Sequence, residues 1–210
     1  MYRITKHIQP NSLTSYKNDP QARYDNLPTR VREDLKDSLL REQGYVCAYC
    51  MSRIDSQKMR IEHWACQDNN QHLELDYNNL LACCCGNEGQ RKDTYTCDKK
   101  KENKALTYSP ANTEHAIDCR ITYIHGSGKV TSNDCNFDKE LNEVLNLNET
   151  RLVKNRQHAL KAVQEQLSRK KGTRSKQDIQ KLHDKVLAIN NNGQKMPYYS
   201  FLADYLSQKL

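Results

Sequence analysis

Apolar residues near the N-terminus recur at the spacing of a helix. Val31, Leu35 and Leu39 are each four residues apart, so their side chains would lie on one helical face. A glycine follows at position 44, and glycine commonly ends a helix. We therefore predict an amphipathic helix over residues 27–43.

The C-terminal third of the chain carries the same periodicity in two stretches. One stripe of apolar residues extends over residues 152–167 and a second over residues 179–189, and a Lys-Lys-Gly-Thr sequence at 170–173 separates them. This pattern predicts two antiparallel helices, followed by a last helix over residues 198–208. Such stripes are more typical of a core than of a functional surface.

The middle of the chain lacks this regularity. Residues 45–104 are rich in Cys, Asn, Asp and Gly and contain only brief apolar pieces, at 59–61 and at 80–81. Residues 119–125 are largely β-branched or aromatic, and the Gly-Ser-Gly sequence that follows them predicts a β-hairpin. The irregular segment needs ligation to be ordered, because it has little apolar surface to bury.

Composition makes a metal the first candidate for that ligation. Only 36% of the 210 residues are hydrophobic, whereas nine are cysteines and seven of these lie between positions 47 and 97. The N-terminus has no apolar signal region, and no segment reaches the about 20 apolar residues that cross a bilayer. We therefore expect a soluble, cytoplasmic protein without membrane contact, and thiols in that reducing compartment favour a metal over disulfides.

The net charge of +7 is concentrated in one segment. Residues 151–185 contain eleven Lys and Arg residues against three acidic residues, and the rest of the chain is close to neutral. A basic segment of this size fits a phosphate-binding or partner-binding face, and it equally fits a solvated pair of helices.

The first motif that could carry chemistry is a CxxC sequence. Cys47 and Cys50 would lie on a tight turn with both sulfurs directed at one tetrahedral ion, as in structural zinc sites. A redox pair and an iron–sulfur cluster stay open as alternatives. The second pair of ligands would come from the later cysteines, which are Cys83, Cys84, Cys85 and Cys97.

The second motif is the dipeptide Glu62-His63, at the end of a predicted short strand. A neutral imidazole can remove a proton from water while a neighbouring carboxylate holds a divalent cation, which suits hydrolysis of a phosphodiester. Taken alone, the dipeptide is common and indicates only a surface pair, so that its context decides.

The order of the motifs resembles that of HNH nucleases. In that family a CxxC, an acidic-His pair, an Asn-Leu and a closing Cys-His/Asn-x-x-Lys follow one another, as they do here. The resemblance is closest to PtuB, the HNH subunit of Septu and retron-associated anti-phage systems, and it covers most of the chain. The sequences that carry it are the CxxC, Glu62-His63, residues 75–84, 97–101, 145–148 and 197–202.

This resemblance implies a fold and a catalytic site. The fold would be α+β, with a ββα-metal (HNH) nuclease module and a structural zinc knuckle embedded in a mainly helical chain. His63 would be the general base, and Glu62 and Asp98 would ligate a catalytic Mg²⁺ or Mn²⁺. Asn79 would hold the loop that aims His63 through backbone hydrogen bonds.

The resemblance also implies the zinc ligands, which would be Cys47, Cys50, Cys84 and Cys97. Cys84 is chosen because the family's cysteine falls five residues after the asparagine, and its two neighbours in the sequence remain substitutes. Asp98 stands where the family more often has His or Asn. A carboxylate is a suitable ligand for Mg²⁺, and the alternative is that this residue caps a helix that begins at the next position.

Nucleic acid is the implied substrate, with DNA favoured, and a PtuA-like ATPase is the implied partner. Lys99, Lys100, Lys101 and the basic helices would position the phosphate backbone without reading sequence. Two alternatives remain, a ribonuclease that acts on an RNA such as tRNA and a non-catalytic zinc module that binds nucleic acid or protein. The Tyr-rich terminal helix or the basic segment would dock the partner.

We expect four regions along the chain. They are an N-terminal extension and helix at 1–44, the nuclease module at 45–104, a β-hairpin and connecting segment at 105–148, and a basic helical region at 149–210.

Overall fold

The computed structural model describes residues 1–168 and 174–210, and it is a mixed α/β structure with two small antiparallel sheets. None of the helices in these residues combines the length and the apolar character needed to cross a membrane. The main elements are α1 (Asn11–Tyr16), α2 (Thr29–Gln43), β1 (Met59–His63), β2 (Leu80–Cys84), α3 (Cys97–Lys101), β3 (Thr122–Ile124), β4 (Lys129–Thr131), α4 (Cys135–Lys139), α5 (Thr150–Ser168), α6 (Lys176–Leu187) and α7 (Tyr199–Ser207).

The helix predicted near the N-terminus is confirmed as α2. Val31, Leu35 and Leu39 are buried on one face, as their spacing requires. The helix ends where Gly44 takes a left-handed conformation with φ of 66°, and the amide of that glycine bonds back to Arg41. A β-carbon at Gly44 would lie 2.6 Å from the Lys195 side chain, so glycine is also needed for close packing.

Strands β1 and β2 form the hairpin at the centre of the molecule. They pair antiparallel, with His63 opposite Leu80 and Met59 opposite Cys84. Leu80 and Leu81 are fully buried, and β2 contacts both α2 and α3. The Glu62-His63 end of β1 therefore shares a cleft with residues of both helices.

The second sheet is smaller than predicted. Its strands β3 and β4 pair antiparallel around the Gly-Ser-Gly turn, which confirms the hairpin. Cys119, however, belongs to a 3₁₀ turn and not to the strand, because Ile117–Cys119 closes its own hydrogen-bonded turn first. β-Branched residues alone did not reveal that turn.

The C-terminal helices form a second core. Leu160 and Val163 of α5 pack in one buried cluster with Ile179 and Val186 of α6 and with α7. The predicted stripe is wrong at Ile189, whose side chain is 57% exposed because α6 already ends at Leu187. The predicted break at 170–173 lies outside the described residues.

The terminal helix is not a free docking surface, contrary to one of the two expectations for partner binding. Tyr198, Tyr199 and Phe201 are buried. The Tyr198 amide donates to the Met51 carbonyl at 3.0 Å, and its hydroxyl lies 2.8 Å from that of Ser52. Tyr198 therefore helps to hold the CxxC loop in place.

Candidate metal centre and active-site cleft

Four cysteine side chains converge on one point between the CxxC loop, β2 and α3. The sulfurs of Cys47, Cys50, Cys84 and Cys97 all lie within 4.8 Å of one another, and three of these residues are buried. The Sγ atoms of Cys50 and Cys84 are 3.7 Å apart. These four are the ligands that the family resemblance implies, and Cys83 and Cys85 are outside the group.

Local backbone conformation brings the first pair together. The Met51 amide donates to the Cys47 carbonyl at 3.0 Å, and Met51 itself has a φ of 63°. The Ala48 amide donates to the Ala82 carbonyl of β2 at 3.0 Å, so that the turn is attached to the strand that leads to Cys84.

A twelve-residue loop separates the second pair, and one glycine closes it. The Thr96 amide donates to the Gly86 carbonyl at 3.0 Å. Gly86 has a φ of 59°, and a β-carbon there would lie only 2.2 Å from the Thr96 carbonyl oxygen. This close approach returns the chain to Cys97 directly beside Cys84.

The donor set fits zinc. Four thiolates at a Zn–S distance of about 2.3 Å would lie about 3.8 Å apart at the corners of a tetrahedron, close to the 3.7 Å between Cys50 and Cys84. Burial raises the pKa of Cys47, but hydrogen bonds from the neighbouring thiols outweigh it and leave that pKa well below its usual value. A buried cluster of soft sulfur ligands is typical of a structural zinc site.

A cleft of about 440 Å³ opens at the end of β1, and none of the four clustered cysteines lines it. Glu62 and His63 line this cleft together with Asp98 of α3. Residues of α2 and of the segment before it form one wall. The two carboxylates and the imidazole that the resemblance singled out thus share one cavity.

The His63 ring is fixed by contacts on one nitrogen and on one face. Its Nε2 lies 2.9 Å from the Glu74 carbonyl, and the ring of Tyr24 packs edge-on against the imidazole at 4.4 Å. With Nε2 protonated to donate to that carbonyl, Nδ1 keeps its lone pair. Burial lowers the pKa of His63, which favours the neutral form that can accept a proton.

Glu62 is 4% exposed and is fixed by two donors on one oxygen. The Tyr49 hydroxyl donates to its Oε1 at 2.8 Å, and the Lys101 ammonium lies 2.9 Å from the same atom. Burial, and then the nearby Asp98 carboxyl, raise the pKa of Glu62 well above its usual value. Two carboxyl groups in contact beside a histidine suit a hard divalent cation, which would remove their repulsion.

Asn79 ties together the two segments that flank His63. Its Oδ1 accepts from the Ala65 amide at 2.8 Å, and its Nδ2 donates to the carbonyls of Ala65 and Leu73 at 3.0 and 3.2 Å. The Trp64 amide also donates to the Asn79 carbonyl at 2.9 Å. These bonds are of the kind that the resemblance implies for this residue.

The lysines of α3 differ from the expectation. Lys101 is 0% exposed and cannot contact a nucleic acid, because its ammonium pairs with Glu62 and donates to the His63 carbonyl at 3.1 Å. Lys99 pairs with Glu88 at 2.8 Å. Among the three lysines, only Lys100 forms no ion pair within the described residues, and it is half-buried.

Asp98 does not cap α3. The N-cap residue is Thr96, and Asp98 lies in the first turn with its side chain 19% exposed toward the cleft. Its carboxylate approaches Arg60 at 4.0 Å. The position therefore leaves the carboxylate available to a ligand.

Several residues of the cleft were missed from the sequence. Tyr49, Tyr24, Arg32 and Lys36 line the cavity or bond to its carboxylates. Tyr49 lies inside the CxxC, and Arg32 and Lys36 are spaced four apart on the polar face of α2. That spacing was the available signal, but it does not say which cavity the face adjoins.

Comparison with known proteins shows a similarity to a curated protein. No protein family model matches the chain. The chain is similar to an Escherichia coli protein whose name describes it as an HNH endonuclease of retron Ec83, with 27% identity over 122 residues. The match covers 49% of this chain and 46% of that protein, so the chain spans about half the length of this relative. The similarity supports an HNH endonuclease family and a nuclease.

Proposed function

We propose that this protein is a metal-dependent HNH endonuclease that hydrolyses phosphodiester bonds of nucleic acid. The observation that carries the proposal is the cleft in which His63 keeps a free Nδ1 beside the carboxyl pair of Glu62 and Asp98. The hairpin β1–β2 and helix α3 would form the ββα-metal module, within the proposed nuclease region 45–104.

Each side chain has a distinct part in the proposed reaction. Nδ1 of His63 takes a proton from the attacking water, while the Glu74 carbonyl keeps Nε2 protonated and the ring fixed. A Mg²⁺ or Mn²⁺ held by Glu62 and Asp98 would supply positive charge to the scissile phosphate and the leaving oxygen. Lys101 and Tyr49 keep the Glu62 carboxylate directed at that position.

The cysteine cluster has a structural part in this proposal. Zn²⁺ bound by Cys47, Cys50, Cys84 and Cys97 would join the CxxC loop, the end of β2 and the start of α3. Strand β2 pairs with β1, which contains Glu62, and α3 contains Asp98. Zinc bound at this site would therefore fix the two carboxylates relative to each other.

The biological setting is proposed on the similarity to the retron protein and on the PtuB-like motifs. We place the enzyme in the cytoplasm as the effector of an anti-phage defence complex of the Septu or retron type, with a PtuA-like ATPase as its partner. With the terminal helix buried, the exposed basic residues of α5 and α6 are the proposed docking surface for that partner. DNA is the proposed substrate.

A cleavage assay tests the proposed function and its main alternative together. Supercoiled plasmid and total RNA are incubated with the purified protein and its ATPase partner, with Mg²⁺ or with EDTA. We expect Mg²⁺-dependent nicking of the plasmid, because the carboxyl pair needs a cation to stabilise the transition state. Cleavage of RNA alone would make the protein a ribonuclease, and cleavage of neither would leave the zinc-binding module.

A further inference from the structure

Two cations of α2 face the cleft from outside the proposed nuclease module. Arg32 and Lys36 are one helical turn apart, and both line the cavity that contains His63. We call this pair the α2 wall. It lies about 30 positions before the catalytic dipeptide in the sequence, and only the packing of α2 against β2 brings it there.

The positive charges of the α2 wall are available to an anionic ligand. Within residues 1–168 and 174–210, neither Arg32 nor Lys36 forms an ion pair with a carboxylate. The lysines of α3 are engaged differently, since Lys99 pairs with Glu88 and Lys101 is buried. The third cation that lines the cleft, Arg60, pairs with Glu88 and approaches Asp98 at 4.0 Å. The cations available to an anion in this cleft are therefore mainly those of α2.

Arg32 is already positioned. Its guanidinium lies over the ring of Tyr24, 5.0 Å from the centroid, and Nη2 donates to the Tyr24 carbonyl at 3.3 Å. Tyr24 in turn packs on His63 with 4.4 Å between ring centroids. The bond to the Tyr24 carbonyl uses one of the five N–H donors of the guanidinium. Other donors remain for a phosphate group next to the phosphate that is cleaved.

The same cleft is also lined by acidic and polar residues. They include Asp68, Glu102 and Asn103, and the Asn103 amide donates to the Asp68 carboxylate. A polyanion that enters the cleft would be repelled by these carboxylates and attracted by the α2 wall. The charge distribution therefore defines which way the strand passes His63.

We propose that Arg32 and Lys36 bind a phosphate of the nucleic-acid backbone that neighbours the phosphate being cleaved. The inference rests on the proposed nuclease function, because it takes His63 as the reacting centre. The α2 wall acts by position and charge and does not contact bases, so that it orients any sequence in the cleft.

Equilibrium binding tests the α2 wall separately from catalysis. A fluorescein-labelled DNA duplex is titrated in the presence of Ca²⁺ into the full chain carrying His63→Ala, which removes the proposed base but leaves the charged residues that line the cleft. The test variant adds Arg32→Gln and Lys36→Gln. The matched control adds Arg30→Gln and Arg41→Gln instead, which removes two exposed charges from the same helix outside this cleft.

We expect the test variant to bind at least tenfold more weakly than the control variant. The slope of log Kd against log salt concentration should fall by about 0.9, which is the contribution of one phosphate contact. Equal weakening in the two variants would overturn the proposal, and so would a parent protein that does not bind the duplex.

The failures of the two proposals are distinguishable. If the wild-type protein cleaves no nucleic acid but the α2 variant alone loses binding, the phosphate site stands and the nuclease mechanism falls. If the wild-type protein cleaves DNA and the α2 variant binds like its control, the nuclease stands and the phosphate site falls.

Discussion

Replacement of His63 by alanine is expected to lower the rate of phosphodiester cleavage by about 10²–10⁴-fold. The proposed general base is the imidazole, whose Nδ1 is left to take a proton because Nε2 bonds to the Glu74 carbonyl. The rate is measured as plasmid nicking by the protein and its partner with Mg²⁺. Zinc content and Tm are measured on the same preparations, because a loss of fold would imitate the loss of a base.

His72→Ala is the matched control for this variant. His72 is an exposed histidine of the same segment and does not line the cleft. We expect its nicking rate to stay within about twofold of the wild-type rate. A His63→Ala protein that retains more than a tenth of the wild-type rate would contradict the role of His63 as general base.

Replacement of Cys97 by serine is expected to remove the zinc and unfold the chain around the hairpin. Zinc binding contributes about 10–16 kcal/mol of apparent free energy in small zinc-dependent folds, whereas whole domains are stable by only about 5–15 kcal/mol. Cys97 is fully buried, and its amide donates to the Leu145 carbonyl at 2.9 Å, so the ligand also anchors the following segment. Elemental analysis and circular dichroism measure the two losses.

Cys85→Ser provides the control for the cysteine cluster. Cys85 is half-buried, follows Cys84 directly and lies outside the group of four sulfurs. We expect this variant to keep one zinc per chain and the wild-type Tm within a few degrees. A Cys97→Ser protein that still holds one zinc and unfolds cooperatively at the wild-type temperature would refute the tetrathiolate site.

Local sequence rules predicted the parts of the fold that depend on neighbouring residues. The end of α2 follows from Gly44, whose left-handed conformation costs other residues more than it costs glycine. The short strand that ends at Glu62-His63 was also predicted, and it is β1. Its partner β2 lies 17 positions further along the chain, so their pairing is a long-range contact that local rules do not give.

Long-range contacts account for what the sequence did not reveal. In the triple-lysine run, Lys101 looks like a surface residue, yet its ammonium meets Glu62 nearly forty positions earlier. Tyr198 looks like an exposed aromatic residue, yet it packs on the CxxC loop. Local periodicity does not indicate that Lys101 meets Glu62 or that Tyr198 meets the CxxC loop. Charge and aromatic character alone therefore predicted that both residues lie on the surface.

The cleft illustrates the same limit on the functional side. The family resemblance named Glu62, His63, Asn79 and Asp98, and the structure brings all four to one region. The resemblance did not indicate Tyr24 or Arg32, which lie before the motifs and reach the cleft only through the packing of α2. The residues that contact His63 from this side were therefore revealed by the fold.

The central claim is that Glu62 and Asp98 share one divalent cation beside His63, and Mn²⁺ binding to the zinc-loaded protein tests it most directly. Glu62→Gln and Asp98→Asn keep the shape of each side chain and remove its charge, and Glu62→Gln retains an oxygen for Tyr49 and Lys101. We predict one Mn²⁺ per wild-type chain by calorimetry and at least tenfold weaker binding in either variant. Unchanged Mn²⁺ affinity in both variants would contradict the account.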